Sequence, residues 1–395
     1  VSSVTNMAQL FQDAHDFNGD LSQWNVSNTT NMSEMFAGSS SFNNDISLWD
    51  VSNVIDMSSM FSHAISFNQP LDSWDVSNVF SMENMFSNAS NFDQDLSSWN
   101  VSGVNEIGSM FYEALNFNGD LSNWDLSNAT DISGMFANAY NFNGDVSSWN
   151  VSMVENMAFL FSGCENFNQD ISNWNVSNVT DMTGMFESAL VFDQNLSTWD
   201  VSNVYNMSSL FENAASYNQD LYSWDVTGTE LMSNMFLNAN SFNQDVSNWD
   251  ISNVTEMENI FDNTSLSETN KCIVHISFSL NSAWPYDWSE SCNLINQVDI
   301  IAPISFLLNQ NYPNPFNPYT TLRYELPEDS FVDITVYDML GNIVKNLVNA
   351  NESSGYKSIL WDATNNQGEP VSAGIYLYKI QAGDFVDTKK MIVLK

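Results

Sequence analysis

Tryptophan recurs at a constant spacing of 25 residues through most of this chain, without insertion or deletion. The ten positions are Trp24, Trp49, Trp74, Trp99, Trp124, Trp149, Trp174, Trp199, Trp224 and Trp249. A period this strict is typical of repeats that bury their apolar sides against neighbouring repeats. We therefore predict an array of ten or more repeats over residues 1–261, because a single globular domain does not keep such a register.

Two shorter periodicities lie inside each repeat. Trp49 and Val51 alternate with polar residues, which predicts a short strand with one buried face. The next segment has the i, i+3, i+4, i+7 spacing of one helical face, occupied by Met57, Met60, Phe61 and Ala64. The predicted fold of residues 1–261 is therefore an α/β repeat solenoid of stacked parallel strands and short helices.

The repeat motif resembles known families. Leu121-x-x-Trp124-x-Leu126 is similar to the strand motif of leucine-rich repeats, with Trp in place of the middle Leu. The longer motif Phe167-Asn-Gln-Asp-Ile-Ser-Asn-Trp174, followed by Met182-x-x-Met185-Phe186, resembles the 25-residue repeat of BspA-like bacterial surface proteins and mycoplasma lipoproteins. That resemblance implies adhesion and extracellular binding, and it implies no catalysis.

Charge excludes several kinds of partner. The chain has a formal net charge of −40, and its first 302 residues contain 38 acidic residues and one basic residue, Lys271. Binding to a phosphate backbone or an anionic membrane needs clustered Lys and Arg, so neither partner is expected. No membrane span is expected, since the longest apolar run, Ile300–Leu308, is short and contains Pro303. The residues that follow Val1 do not have the pattern expected of a signal peptide, and we expect the sequence to be part of a longer chain.

One row of polar side chains is the main candidate binding site. The residue after each Trp is Asp or Asn, and six carboxylates are predicted on the exposed strand face: Asp50, Asp75, Asp125, Asp200, Asp225 and Asp250. Neighbouring carboxylates repel each other, which raises their pKa values or attracts a cation such as Ca²⁺. The row is thus predicted to bind Ca²⁺ or a partner, and the alternative is a solvated face without a ligand.

Two further polar rows are predicted to serve the loops. Aspartates such as Asp45 and Asp95 lie four residues before Trp and are expected to cap tight turns. The residue after each Phe, such as Asn43 or Asn68, is expected to form a buried asparagine ladder that satisfies loop amides.

The array is expected to end in a cap over residues 262–302. Cys272 and Cys292 are predicted to form a disulfide, which indicates an oxidising compartment. The alternative is a metal site formed by these two cysteines and His275. Cys164 is predicted to be buried in the repeat core. No catalytic motif is recognisable, so catalytic residues are predicted as none and the chain is not expected to be an enzyme.

Residues 303–395 have a different character. Asn311-Tyr-Pro-Asn-Pro-Phe316 is followed by short alternating strands, including Gly374-Ile-Tyr-Leu-Tyr-Lys379, which predict an antiparallel β-sandwich. These motifs resemble the type A C-terminal sorting domain of the type IX secretion system, which implies an immunoglobulin-like fold. The resemblance implies export through the periplasm of a Gram-negative bacterium to its outer surface or the medium. Three lysines are the candidate contacts with the export machinery, or else are ordinary exposed lysines: Lys389, Lys390 and Lys395.

Three functions fit these observations. The leading hypothesis is an adhesion or binding scaffold for an extracellular protein or glycan. The second is a structural spacer or stalk that displays another domain. The third is a secreted enzyme whose catalytic domain lies outside this sequence.

Overall fold

The computed structural model describes residues 1–295, 303, 305–311, 314–316 and 318–394. The chain divides into two compact regions, Val1–Ile295 and Asn296–Lys395. Among the described residues, no helix combines the length and the apolar character needed to cross a bilayer. The helices and strands, in chain order, are α1 (Glu268–Phe278), α2 (Ser289–Ile295), β1 (Leu307–Leu308), β2 (Thr320–Leu326), β3 (Ser330–Tyr337), β4 (Ile343–Glu352), β5 (Gly355–Trp361), β6 (Gly374–Ala382) and β7 (Phe385–Val393).

The repeats contain neither the strands nor the helices that the sequence predicts, so the expected α/β solenoid is wrong. Each repeat is a succession of tight turns. It pairs with the neighbouring repeat through a single parallel β-bridge residue, such as Asp56 opposite Ser81. The Trp49 segment lies between two turns, closed by Trp49 N–H to Ile46 O at 3.0 Å and Val54 N–H to Val51 O at 2.9 Å. Helix is confined to α1 and α2 among the described residues, and the extended sheets are antiparallel ones in the C-terminal region.

The segment predicted as a helix shows why the prediction failed. We call residues 57–64 and their equivalents in the other repeats the turn segments. Met60 N–H and Ala64 N–H close four-residue β-turns onto Met57 O and Phe61 O, whereas the alternate N–H groups donate to carbonyls of the next repeat. Consecutive turns of this kind bury the residues at i, i+3, i+4 and i+7, as a helix would, and all four are fully buried. The burial pattern was therefore predicted correctly and the backbone conformation was not.

Left-handed backbone at two positions of every turn segment excludes a helix. Ser59 has φ 53° and His63 has φ 56°, and the equivalent residues of the other repeats also have positive φ. These residues redirect alternate N–H groups towards the neighbouring repeat. The left-handed region costs most residues about 1–2 kcal/mol, and only Gly, Asn and Asp visit it readily. Twelve of the 22 positions are accordingly Asn or Gly.

Rings and indole nitrogens join neighbouring repeats through a common core. Phe61 and Phe86 stack with centroids 5.5 Å apart, and the other repeats continue this ladder. The Nε1 of Trp149 donates to Leu121 O at 3.1 Å, and every Trp from residue 49 to 249 makes the same bond to a carbonyl 28 residues earlier. The predicted burial of the tryptophans is confirmed, except that Trp24 in the first repeat is only half-buried.

After the last repeat, α1 and α2 cover the core. Val274 and Phe278 of α1 are fully buried against the repeats. The Tyr286 hydroxyl accepts a hydrogen bond from Phe261 N–H at 3.0 Å and donates to Asp262 Oδ1 at 2.8 Å. The Tyr286 hydroxyl thus gives the last turn segment the hydrogen-bond acceptor that a carbonyl of the next repeat provides elsewhere.

The C-terminal region is an antiparallel β-sandwich, consistent with the predicted all-β fold. One sheet has the strand order β1-β2-β5 and the other has the order β4-β3-β6-β7. The buried core between them combines Leu322 and Trp361 from the first sheet with Val336 and Tyr378 from the second. The hydroxyl of Tyr378 also donates to Asn309 O at 2.8 Å and accepts from Asn311 N–H at 2.7 Å, which fixes the start of the Asn-Tyr-Pro motif.

Candidate binding surface

The six predicted binding carboxylates each cap a turn in their own repeat. Asp50 Oδ1 accepts hydrogen bonds from Ser52, from the backbone N–H at 3.2 Å and from the hydroxyl at 2.6 Å. The other five carboxylates and the four asparagines of the row accept the same backbone bond, namely Asp75, Asp125, Asp200, Asp225, Asp250, Asn25, Asn100, Asn150 and Asn175. An Asn oxygen accepts this bond as well as an Asp oxygen does, so turn formation explains both residue types. A binding role for the six aspartates stays a prediction.

Hydrogen bonding lowers the pKa of a carboxylate in this row, where the sequence had suggested that repulsion raises it. The hydroxyl and the backbone N–H of Ser77 hold the pKa of Asp75 below its ordinary value. The predicted capping role of the second acidic row is confirmed, since Asp45 Oδ1 accepts from Ser47 N–H at 2.9 Å. Hydrogen bonds from a serine two residues on lower the pKa of five members of that row: Asp20, Asp45, Asp95, Asp145 and Asp170.

The ladder of amides after each Phe exists, but it is exposed where burial was expected. Asn43 Oδ1 accepts from Asn68 N–H at 2.9 Å, and the Asn43 side chain faces solvent. Gln69 Nε2 donates to the same oxygen at 2.9 Å. The ladder therefore satisfies loop amides of the next repeat, as predicted.

The turn segments form a surface, here called the turn face, whose side chains differ from repeat to repeat. One position of this face is Ser62. Its equivalents in the other repeats are Gln12, Ala37, Ser87, Tyr112, Ala137, Ser162, Glu187, Glu212, Leu237 and Asp262. The Trp row, by contrast, is invariant, because each indole fills the same buried space. The turn face is thus the surface on which the repeats acquire distinct chemistry.

A cavity of about 490 Å³ opens on the turn face of the first three repeats. It forms because Ala37 and Gly38 are small and lie between longer residues of the repeats on either side. Gly38 has φ +72°, and a Cβ there would lie 2.5 Å from Asp13 Oδ1. Two histidines and a glutamate are among the lining residues: His15, His63 and Glu34.

Polar contacts fix part of this first cavity. His15 Nδ1 lies 2.7 Å from Gly38 O, which makes that nitrogen the donor. Glu34 accepts from Gln9 Nε2 at 3.1 Å and from Gln12 Nε2 at 2.5 Å. The cavity therefore offers imidazole and carboxylate groups suited to polar or cationic ligands.

A second cavity of about 320 Å³ opens on the turn face between Tyr112 and Phe159. Gly134 and Ala137 of the intervening repeat leave the space between the two rings. The remaining lining residues are Ser109, Ser133, Asn138, Ala158 and Ser162. This cavity combines aromatic walls with hydroxyl and amide groups.

The structure shows two cysteines in a disulfide and the third as a buried thiol. Cys272 and Cys292 form a disulfide that joins α1 to α2, with Cα atoms 4.8 Å apart. His275 Nδ1 accepts a hydrogen bond from Trp284 Nε1 at 3.2 Å, so the alternative metal site is not formed. Cys164 is buried and donates to Phe136 O at 3.1 Å, and burial raises the pKa of its thiol. Across the described ranges, no three His, Cys, Asp or Glu side chains are grouped so that they could hold a metal ion.

Two of the predicted sorting lysines lie on strand β7. Lys389 is half-buried and Lys390 is exposed. The carbonyl of Lys390 accepts hydrogen bonds from Gln310 Nε2 at 2.7 Å and Asn314 Nδ2 at 3.2 Å, so these two side chains hold this strand. Lys395 lies outside the described residues. A contact between these lysines and the export machinery stays a prediction.

Sequence reasoning missed the turn face and both cavities. The missed signal is two positions of the repeat, four residues apart, that are rich in Asn and Gly, as in Asn84 with Asn88 and Asn234 with Asn238. Residues of this type inside a presumed helix indicate left-handed backbone. They would have predicted turns and, with them, an outward face of variable side chains.

Comparisons with known proteins agree with both resemblances. The model of the family described as "Mycoplasma protein of unknown function, DUF285" matches residues 1–98, 66–174 and 155–273. The model described as "Secretion system C-terminal sorting domain" matches residues 310–394. No curated protein matches the chain.

Solved structures match a small part of the chain. The crystal structure of dimeric latent PorU from Porphyromonas gingivalis is 27% identical over 25% of this chain, with a TM-score of 0.20. PorZ from the same organism, described as an essential bacterial surface component of the type-IX secretion system, is 15% identical over 23% of this chain, with a TM-score of 0.18. The chain covers 10% of the PorU chain and 12% of the PorZ chain.

Proposed function

We propose that this chain, which belongs to the family described as "Mycoplasma protein of unknown function, DUF285", is an adhesion or binding scaffold that engages an extracellular protein or glycan through its turn face. The sorting domain at residues 310–394 directs export by the type IX secretion system, so the protein is secreted or held at the outer surface. The predicted localisation is confirmed on this ground.

One observation carries the proposal. The buried and capping rows repeat almost unchanged, whereas the turn face varies and contains both described cavities. Concave sites with a few convergent polar groups are where proteins usually bind ligands. Side chains on this face are also free to differ, because the repeats do not depend on them for packing.

The negative charge of the repeat region limits the kinds of ligand that it is expected to bind. The first 302 residues carry 38 acidic residues and one basic residue. A surface of this sign repels anionic polymers and favours neutral or cationic ones. The proposed ligands are therefore neutral glycans or basic extracellular proteins, and the proposed role of the described residues is binding without catalysis.

The test measures binding of the full chain to an immobilised panel by surface plasmon resonance. The panel contains starch, cellulose, mannan and lysozyme, with heparin as the anionic control. A turn-face variant combines Ala37→Tyr and Gly134→Asn, which fill the two cavities with residues that the same columns hold at Tyr112 and Asn84. A matched variant combines Asp200→Asn, Asp225→Asn and Asp250→Asn.

We expect a neutral or basic panel member to bind, with no binding to heparin. The turn-face variant should bind that panel member about tenfold or more weakly. The variant with Asp200, Asp225 and Asp250 changed to Asn should retain the binding. Equal binding by the turn-face variant, or binding to no panel member, would contradict the proposal.

A further inference from the structure

The cavity between Tyr112 and Phe159 has two aromatic walls supplied by repeats that are not adjacent. Phe159 lies 47 positions after Tyr112, and the repeat between them contributes Gly134 and Ala137 to the lining. Larger side chains stand in those two columns elsewhere, such as Asn84 and Glu187. The gap between the rings is therefore a local feature of these repeats and not a property of every repeat.

Phe159 occupies an unfavourable backbone position for a phenylalanine. Its φ is 57°, in a column where the other ten residues are Gln, Glu, Ser, Asn or Gly. Phe159 as a whole is 41% exposed, so core packing does not require its side chain. Strained backbone of this kind is concentrated at functional sites.

The next repeat holds the Phe159 ring in place. A Cβ at Gly184 would lie 2.6 Å from two ring carbons of Phe159, so only glycine lets the ring occupy this position. The ring therefore rests on the backbone of Gly184. A flat aromatic surface fixed at the wall of a cavity is a stacking platform.

The polar groups of the cavity are uncharged. Hydroxyls and an amide come from Ser109, Ser133, Ser162 and Asn138, and the lining, all of it within the described residues, includes no Asp, Glu, His, Lys or Arg. Ser162 Oγ donates to Glu187 Oε2 at 3.3 Å, which leaves its oxygen as an acceptor towards the cavity. A hydrogen bond to Glu113 raises the pKa of Tyr112, whose phenol is therefore neutral near pH 7.

We propose that the Tyr112–Phe159 cavity is a binding subsite for a ring of a neutral saccharide, which stacks on Phe159 and bonds its hydroxyls to Ser109, Ser133 and Asn138. This inference rests on the proposed binding function and assigns it a ligand class. A sugar ring presents an apolar face and a rim of hydroxyls, which matches aromatic walls with neutral donors and acceptors. The volume of about 320 Å³ lies at the small end of ligand pockets, about 300–1,000 Å³.

The other ligand classes fit less well. A basic side chain would be expected to pair with a carboxylate, and the two carboxylates beside this cavity, Glu113 and Glu187, already accept hydrogen bonds from Tyr112 and Ser162. A purely apolar ligand would offer no hydrogen bonds to the hydroxyls of Ser109 and Ser133 or to the amide of Asn138, and burying such groups without partners is unfavourable. An anionic saccharide would be repelled by the acidic surface.

Isothermal titration of the full chain with cellohexaose, maltohexaose and mannohexaose tests the proposal. Phe159→Asn removes the platform and installs the residue that the same column holds at Asn84 and Asn234. The control is Tyr205→Asn, which removes a 46% exposed aromatic residue elsewhere in its repeat and installs the residue that its column holds at Asn105. Melting temperatures of both variants show that they remain folded.

We expect at least one hexasaccharide to bind, about tenfold more weakly to Phe159→Asn and unchanged to Tyr205→Asn. Binding by none of the three, or equal binding by Phe159→Asn, overturns the saccharide assignment. If lysozyme still binds in a manner sensitive to Ala37→Tyr, the proposed function stands without this inference. Loss of both kinds of binding would remove both proposals.

Discussion

The ring of Phe159 lies where a side chain at residue 184 would be, 2.6 Å from the Cβ that Gly184 lacks. Two columns of the repeat meet at this contact, one with a strained phenylalanine and the other with a glycine. The apolar core does not need the Phe159 ring, since Phe159 is 41% exposed. The contact therefore places an aromatic surface beside a cavity, at a cost in backbone stability.

Replacing Phe159 with Asn should stabilise the repeat region by about 1 kcal/mol, because Asn accepts the left-handed conformation that Phe159 adopts at φ 57°. Chemical denaturation of the full chain gives the free energy of unfolding. The control Phe159→Ala removes the ring but keeps the backbone penalty, so it should be no more stable than the parent. Loss of stability in Phe159→Asn would contradict the strain assigned to this residue.

Replacing Tyr217 with Phe should also stabilise the protein, by about 1–2 kcal/mol. The Tyr217 hydroxyl is buried and has no hydrogen-bond partner within the described residues. Burial, together with the nearby Asp193 and Asp220, raises its pKa, so ionisation does not relieve the cost. The reverse change, Phe192→Tyr in the same column, should destabilise the protein. A stability loss in Tyr217→Phe would indicate a bonded water or ion at the hydroxyl.

The six aspartates after Trp should act through one oxygen and not through their charge. Changing Asp200, Asp225 and Asp250 together to Asn should leave the melting temperature nearly unchanged, because Asn makes the same bond at Asn100. Changing them to Ala should cost about 1 kcal/mol at each position. The comparison is made by thermal melting at low and high salt. Equal losses in the Asn and Ala variants would show that the charge itself matters.

Stability should fall as the pH is lowered below about 4. Serine hydrogen bonds lower the folded-state pKa of six aspartates, Asp20, Asp45, Asp75, Asp95, Asp145 and Asp170. Their contribution is therefore present above the unfolded pKa, about 3.9, and is lost as the pH falls through the folded values. Denaturation midpoints between pH 7 and 3 measure this, and Asp95→Asn should reduce the acid dependence. A midpoint that rises on acidification would contradict the sign.

The sequence predicted burial well and conformation poorly, for a physical reason. Met57, Met60, Phe61 and Ala64 are buried as expected, but consecutive β-turns produce the same spacing of buried residues as a helix. The Asn and Gly columns at positions such as Asn84 and Gly38 distinguish the two, since they supply left-handed backbone. The cavities could not be predicted, because they depend on small residues of one repeat lying between larger residues of its neighbours.

The C-terminal region was predicted more completely than the repeats. Its alternating strands fold locally into antiparallel pairs, such as β6 with β7, where buried and less buried residues alternate along the strands. The role of Asn314 was not predicted. Its side chain bonds Lys390 O and Ile392 N–H across 76 and 78 residues, a contact that only the folded sandwich creates.

Binding through the turn face is tested most directly by a side-chain footprint of the full chain with and without its ligand. Carbene labelling in the presence of the hexasaccharide or protein that binds best in the panel would map the covered surface. We predict protection of the turn face, at Tyr112 and Phe159 for a saccharide or at His15 and His63 for a basic protein. Protection confined to the aspartate row around Asp50, with unchanged labelling of the turn face, would contradict it.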